Sequence, residues 1–305
     1  MRAEADARAV ATRGPAVTWE PRVARRKLNG TVAQIGFLLG TLGTVALLVL
    51  LLTVLVWRGR DWLSWGLLTD MPSSIAADRA GMNSAVVGSF YLVIGASIFS
   101  MVVGLGTAIL LEEYIGPGRW KRVLQTNISN LAGVPSVVYG LLGLALFVNL
   151  LQMGRVLLAG ALTMGLLILP IVIIASQEAI RAVPLELRQA AYGLGATRWQ
   201  TVRHHVLPAA MPGILTGTIL SISRAVGETA PLVVVGAAPF LLFRPDGPFS
   251  SYSAMPMQIY TWTRSSKHEF QDLAAAAIIV LMVVLLGMNA IAIFIRQRMS
   301  KRDRW

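Results

Sequence analysis

In the stretch SRAVGETAPLVVV, residues 223–235, Arg224 and Glu228 stand four positions apart inside an otherwise apolar run. Four positions is one helical turn, so the spacing predicts that guanidinium and carboxylate meet on one face. A charge near the centre of a bilayer is costly, and charges found there are usually paired, turned toward protein or water, and functional. Two uses fit the pair. One is an ion pair that fixes helix packing; the other is an anion-handling group on a polar path. In the second, Arg224 is planar and permanently charged and offers donors suited to anion oxygens, while Glu228 neutralises it when no anion is bound. Ser223 and Thr229 would add neutral hydrogen bonds, and Gly227 and Pro231 predict a loosened or kinked helix there.

Other chemistry is poorly provided for. The chain has no cysteine, so thiolate sites are absent, and its three histidines, His204, His205 and His268, fall in no metal-ligand spacing. A Walker A glycine-lysine motif is missing, so ATP would have to be bound by another chain. A non-catalytic protein with no cofactor and no metal is expected. Asn127, Ser129 and Asn130 before Pro135-Ser136 either line a path or cap and bridge helices. Glu112 and Glu113 beside Tyr114 read as a solvated loop start.

The elements that must position these residues are membrane helices. Of 305 residues 55% are hydrophobic and 14% charged, and uncharged runs reach or exceed the ~20 residues needed to cross the hydrocarbon core. The pattern predicts an all-α, polytopic membrane protein with six transmembrane helices at about 31–57, 85–111, 127–150, 156–177, 207–236 and 273–295. Residues 1–30 are expected to be a largely disordered basic tail, 31–297 the membrane domain, and 298–305 a second basic tail. With six spans, nineteen of the 27 Lys and Arg fall on one side and seven on the other, Arg224 lying between. The positive-inside rule then puts both termini in the cytoplasm of a multi-pass inner (plasma) membrane protein. The basic tails suit anionic membrane lipid; a folded basic face with interleaved aromatics, as nucleic acid would want, is not present. Arg224 lies fifteen residues past Ala209, ~23 Å along a helix and beyond the midplane counted from the cytoplasm.

Between spans four and five runs QEAIRAVPLELRQAAYGLGATRWQTVRHHVLPAAMPG. Pro184 suits a first helical turn, and Leu185, Leu187, Ala190, Ala191 and Leu194 predict an apolar face opposite Glu186, Arg188 and Gln189. Gly193 and Gly195 permit a sharp turn. A short helix through Trp199 and Val202 is expected next, with Pro208 and Pro212 restarting the chain into the membrane.

The order Gln189-Ala190-Ala191, three residues, Gly195, nine residues, then His205 and Val206-Leu207-Pro208 resembles the EAA loop of the binding-protein-dependent importer permeases. Gln189 stands where an acidic residue is usual and His205 where an apolar one is. The block RAVGETAPL, with NISNLAGVPSVVYGLLGLALF upstream, resembles more narrowly the PstA family of phosphate ABC importer permeases, from about Leu110 to the C-terminus. The resemblance implies a type I importer permease carrying inorganic phosphate. Its partners would be a homologous permease (PstC), two copies of the ATPase PstB, which holds ATP and Mg, and the phosphate-binding protein PstS. It implies coupling to the ATPase through Leu185, Glu186, Gln189, Ala190, Ala191, Gly193, Gly195 and Ala196 in the 185–208 loop. The substrate path would hold Arg224, Glu228, Thr229 and Ser223. A permease for molybdate or sulfate, or a non-transporting membrane scaffold or sensor, are the alternatives.

Overall fold

The computed structural model describes residues 23–300, and among these every regular element is helical. The tail expected at 1–30 lies outside the described residues up to position 22, and from Val23 the chain is already helical: α1 runs Val23–Gly59. The described residues up to Val54 form a unit of their own, a helix that from Asn29 is apolar with its side chains nearly all exposed. Exposed apolar side chains on a helix with satisfied backbone hydrogen bonds are what lipid tolerates.

The remainder, from Leu55 onward, is the second unit. After a short α2 (Trp65–Thr69), α3 (Asn83–Ile109) continues through a π-helical turn at Leu110–Tyr114. α4 (Arg119–Ala132) and α5 (Ser136–Gly143) follow, α5 running into a second π segment at Leu144–Leu150. Next come α6 (Leu157–Arg181), α7 (Leu185–Gly193), α8 (Arg198–Thr201), a π segment at Val202–Val206 and α9 (Leu207–Val226). α10 (Ala230–Val235), α11 (Met255–Thr263) and α12 (His268–Ser300) complete the described chain. Among the described residues five helical runs are long and apolar enough to cross a membrane, and six if α4 and α5 count as one bent span. The expected tail at 298–305 is helical to Ser300, and its last residues lie outside the described ones.

Two expected spans differ from the sequence reading. The third is not one rod: α4 and α5 meet at 103°, broken at Gly133-Val134-Pro135. The missing N–H of Pro135 and its pressure on Val134 to leave the helical region end α4 there. The loose backbone is satisfied locally, Gly133 N donating to Asn130 O and Val134 N to Leu131 O, both at 3.1 Å. The buried Tyr139 hydroxyl adds a bond to the Leu131 carbonyl at 2.8 Å. The fifth span begins earlier than expected and stops earlier. Pro208 and Pro212 do not restart it, because the π segment at Val202–Val206 absorbs the change in hydrogen-bond register and the run Arg198–Val226 stays helical for 29 residues.

Packing joins the helices through small residues, the usual device where lipid removes the hydrophobic drive between helices. α3 lies along α6, with Gly104 against Val172 and Gly95 against Ala161. α9 packs on α6 and α12, and α10 packs on α5. That last contact runs against backbone: a Cβ built on Gly140 would lie 2.8 Å from Pro231 Cα, an atom that cannot swing aside. Tyr139, Ala225 and Leu232 share one buried cluster with Leu92, Met164 and Ile168, so the broken spans close onto the α3–α6 pair. Gly140→Val should therefore force α5 from α10 and cost about 1–3 kcal/mol, as overpacking does. Thermal unfolding of the detergent-solubilised protein should show a midpoint lower by several degrees, while Gly106→Ala, whose Cβ meets nothing within 4 Å, leaves it unchanged.

Candidate functional site

α9 carries Arg224 in its last turn and ends at Val226. Gly227 N then bonds Arg224 O at 3.3 Å and Glu228 N bonds Ala225 O at 3.1 Å, a tightened turn that leads to α10. Glu228 is thus not one turn further along the same helix, as the spacing suggested. It lies in the break between α9 and α10. The pair nevertheless forms, with Arg224 Nε 3.6 Å from Glu228 Oε1 and the two side chains 56% and 21% exposed. The loosening predicted at Gly227 and Pro231 is a full interruption, and Pro231 stands in the first turn of α10, where a missing N–H is harmless.

Thr229, half-buried, heads α10 without capping it through its side chain. Ser223 is turned inward: its hydroxyl is buried and has no hydrogen-bond partner among the described residues. The structure therefore groups Arg224, Glu228 and Thr229 at one break and sets Ser223 into the packed side of α9. Among the candidate polar residues of the third span, the Asn127 amide bonds the Val123 carbonyl of its own helix at 2.8 Å, and Asn127, Ser129 and Asn130 are exposed on α4.

Because α10 packs on α5, the two interrupted helices are joined by the segments that follow their breaks. Irregular backbone at membrane depth is tolerated where it is buried in protein or lines a water-filled cavity, and discontinuous helices bind ions in other transporters. A partly screened arginine beside a carboxylate can hold an anion loosely and release it.

The second group lies at the end of the bundle that bears α7. Of the residues singled out in the loop, Leu185, Glu186, Gln189, Ala190, Gly193 and Gly195 are exposed, Ala196 is half-buried and Ala191 is buried. Gly195 has φ +81, in the left-handed region, so the turn between α7 and α8 depends on it; Gly193 stays on the helical side. Ala196 N reaches back to Ala191 O at 3.1 Å, and Thr197 caps α8 in a capping box with Gln200. His205 is exposed in the π segment, so a polar ring replaces an apolar side chain there without burial cost.

The expected apolar face of α7 is not inward. Leu185, Leu187 and Leu194 are exposed, Leu194 at 90%, and Arg188, assigned to the wet side, points into the protein. Its partner is Glu113. Glu112 and Glu113, expected to be solvated, are 8% and 6% exposed. Glu112 accepts from Arg181 at 2.7 Å, Gln177 at 2.8 Å and Lys121 at 3.1 Å. Glu113 accepts from Arg188 Nη2 at 3.1 Å and Nε at 3.3 Å. Sequence reasoning passed over this cluster because two acids beside a loop are usually wet. The available signal was the matching set of bases, Lys121, Arg181 and Arg188, each close to a span end.

The profile of the family described as binding-protein-dependent transport system inner membrane component matches residues 100–302. The chain is 35% identical over 295 residues to the phosphate transport system permease protein PstA 1 of Mycobacterium tuberculosis, covering 94% of each chain. It is 35% identical over 281 residues to the phosphate transport system permease protein PstA of Mycobacterium leprae, covering 90% of each. It is also 30% identical over 279 residues to the probable ABC transporter permease protein YqgI of Bacillus subtilis, covering 87% of this chain and 95% of that one. Its fold is similar to that of a chain in a bacterial alginate ABC transporter, with TM-score 0.65 at 15% identity over 90% of this chain and 98% of that one. A chain of the inward-facing MetNI methionine ABC transporter gives TM-score 0.57 at 16% identity over 72% of this chain and 97% of that one. With two thirds of its length matched by the family profile and near full-length relatives above 30% identity, the chain belongs to the binding-protein-dependent transport system inner membrane component family.

Proposed function

We propose that this chain is the permease subunit of an ATP-driven importer of inorganic phosphate, in an inner membrane with both termini cytoplasmic. The observation that carries the substrate is the 35% identity to a phosphate permease over 94% of both chains. A homologous permease (PstC) would complete the path, a binding protein (PstS) would deliver phosphate from outside, and two ATPase copies (PstB) would bind ATP and Mg beneath α7. This subunit makes and breaks no covalent bond.

The geometry supports this mechanism. Phosphate oxygens meet the Arg224 guanidinium, whose planar donors match two oxygens at once, and Thr229 stands beside the break to add a neutral hydrogen bond. Glu228, 3.6 Å from Arg224, competes for the same donors and keeps the anion from being trapped. Carrying the coupling movement to this point is the work of α8, the π segment and α9. They form one helical run from Arg198 to Val226, ~44 Å at 1.5 Å per residue, and its far end is the break that holds the pair.

Two experiments test this. In proteoliposomes holding the whole assembly, Arg224→Gln should lower ATP-dependent phosphate uptake by at least about tenfold, the size of one lost charge-assisted hydrogen bond, with assembly unchanged. Undiminished uptake would return the pair to a packing role, and molybdate or sulfate outcompeting phosphate in the parent would change the substrate. Gly195→Val, forced into the left-handed region at a cost of about 1–2 kcal/mol, should weaken co-purification of the ATPase while membrane insertion persists.

A further inference from the structure

We propose that the Arg188 guanidinium is the mechanical joint between α7 and the membrane helices, so that losing it lets the ATPase turn over without moving cargo. The proposal rests on the importer reading for its setting, and its evidence is the geometry around one side chain. α7 buries a single residue, Ala191, out of nine. A helix with so little apolar contact cannot transmit force by packing. It is held by Arg188, which is mostly buried.

Arg188 makes four hydrogen bonds and each leads to the end of a membrane span. Nε and Nη2 donate to Glu113 in the π turn that closes α3. Nη1 donates to Val183 O and Nη2 to Ile180 O, both at 2.8 Å, just where α6 ends; Ile180 O also accepts from Val183 N at 3.3 Å. One planar group thereby ties α7 to α3 and α6 at once. A lysine ammonium has neither the fork nor the number of donors to do the same.

The neighbouring carboxylate makes that anchor rigid. Glu112 binds Lys121 of α4 and Gln177 and Arg181 of α6, so three spans converge on adjacent residues. Beneath them Ala108, Ile180, Val183, Val206, Ala210 and Ile214 form a buried cluster joining α3, α6, the π segment and α9. On its other side α7 meets the π segment at Val202–Val206 and continues through the turn at Gly195 into α8. Displacement of α7 therefore reaches the bundle through Arg188 on one side and the α8–α9 run on the other, and the two must move in step.

The chain has no cysteine, which makes the test direct. Spin labels at Tyr192→Cys on α7 and Leu110→Cys at the end of α3, both exposed sites, report the α7–α3 distance in the assembled complex without nucleotide and with ATP. With Arg188 present the distance distribution should stay single and unchanged between the two states. In Arg188→Lys, Arg188→Gln and, approached from the other side, Glu113→Gln, it should broaden or shift with nucleotide. ATP hydrolysed per phosphate imported should rise by about tenfold, the size of an ordinary coupling between sites. If Arg188→Gln does not assemble, Arg188→Lys and Glu113→Gln carry the test. Unchanged distances and an unchanged ratio in these variants overturn the proposal. If the parent complex imports no phosphate yet loss of Arg188 still frees α7, the phosphate reading falls and the joint stands.

Discussion

Two adjacent carboxylates, Glu112 and Glu113, held between Lys121, Arg181 and Arg188, are the constraint on which the loop end of the molecule depends. Each is almost dry, and removing one partner from such a group leaves a charge uncompensated at a cost of about 3–5 kcal/mol. A hydrophobic contact at the same place would tolerate sliding. An ionic one with fixed donors does not, and this explains why a helix that buries one side chain can still have a defined position. α3, α4, α6 and α7 all end within reach of these two residues.

The candidate site is built from a pair of broken helices. The break after Ala132 and the break after Val226 are made by ordinary means, a proline in one and a glycine followed by a proline in the other. Gly140 and Pro231 then let α5 and α10 approach almost backbone to backbone. The result places Arg224 and Glu228 where the regular hydrogen-bond ladder stops, which is where a membrane protein can expose polar groups to a cargo. One uninterrupted helical run, Arg198–Val226, links that point to the loop.

Much of this was legible in the sequence, for reasons that differ residue by residue. Long uncharged runs declare membrane helices because lipid permits little else, and the Arg224–Glu228 spacing announced a contact that does form. The turn at Gly195 was legible because only glycine takes its conformation freely. What was not legible came from tertiary override. Pro135 broke a run that composition alone reads as one span, whereas Pro208 and Pro212 broke nothing because a π segment took up the register. Arg188 and Glu113 were each assigned to water, since their partners are 75 residues apart and no local pattern connects them. Periodicity put Leu185 and Leu194 on an apolar face of α7, and both lie exposed, as docking on another chain would require.

The central claim is that the break between α9 and α10 lies on an aqueous anion path. The most direct measurement leaves the charged pair intact and places Thr229→Cys in this otherwise cysteine-free chain, then follows its reaction with a membrane-impermeant, anionic thiol reagent in the assembled transporter. The account predicts that the thiol reacts and that saturating phosphate slows the reaction. A thiol that stays unreactive in every nucleotide state, or one that reacts at the same rate with and without phosphate, would contradict it.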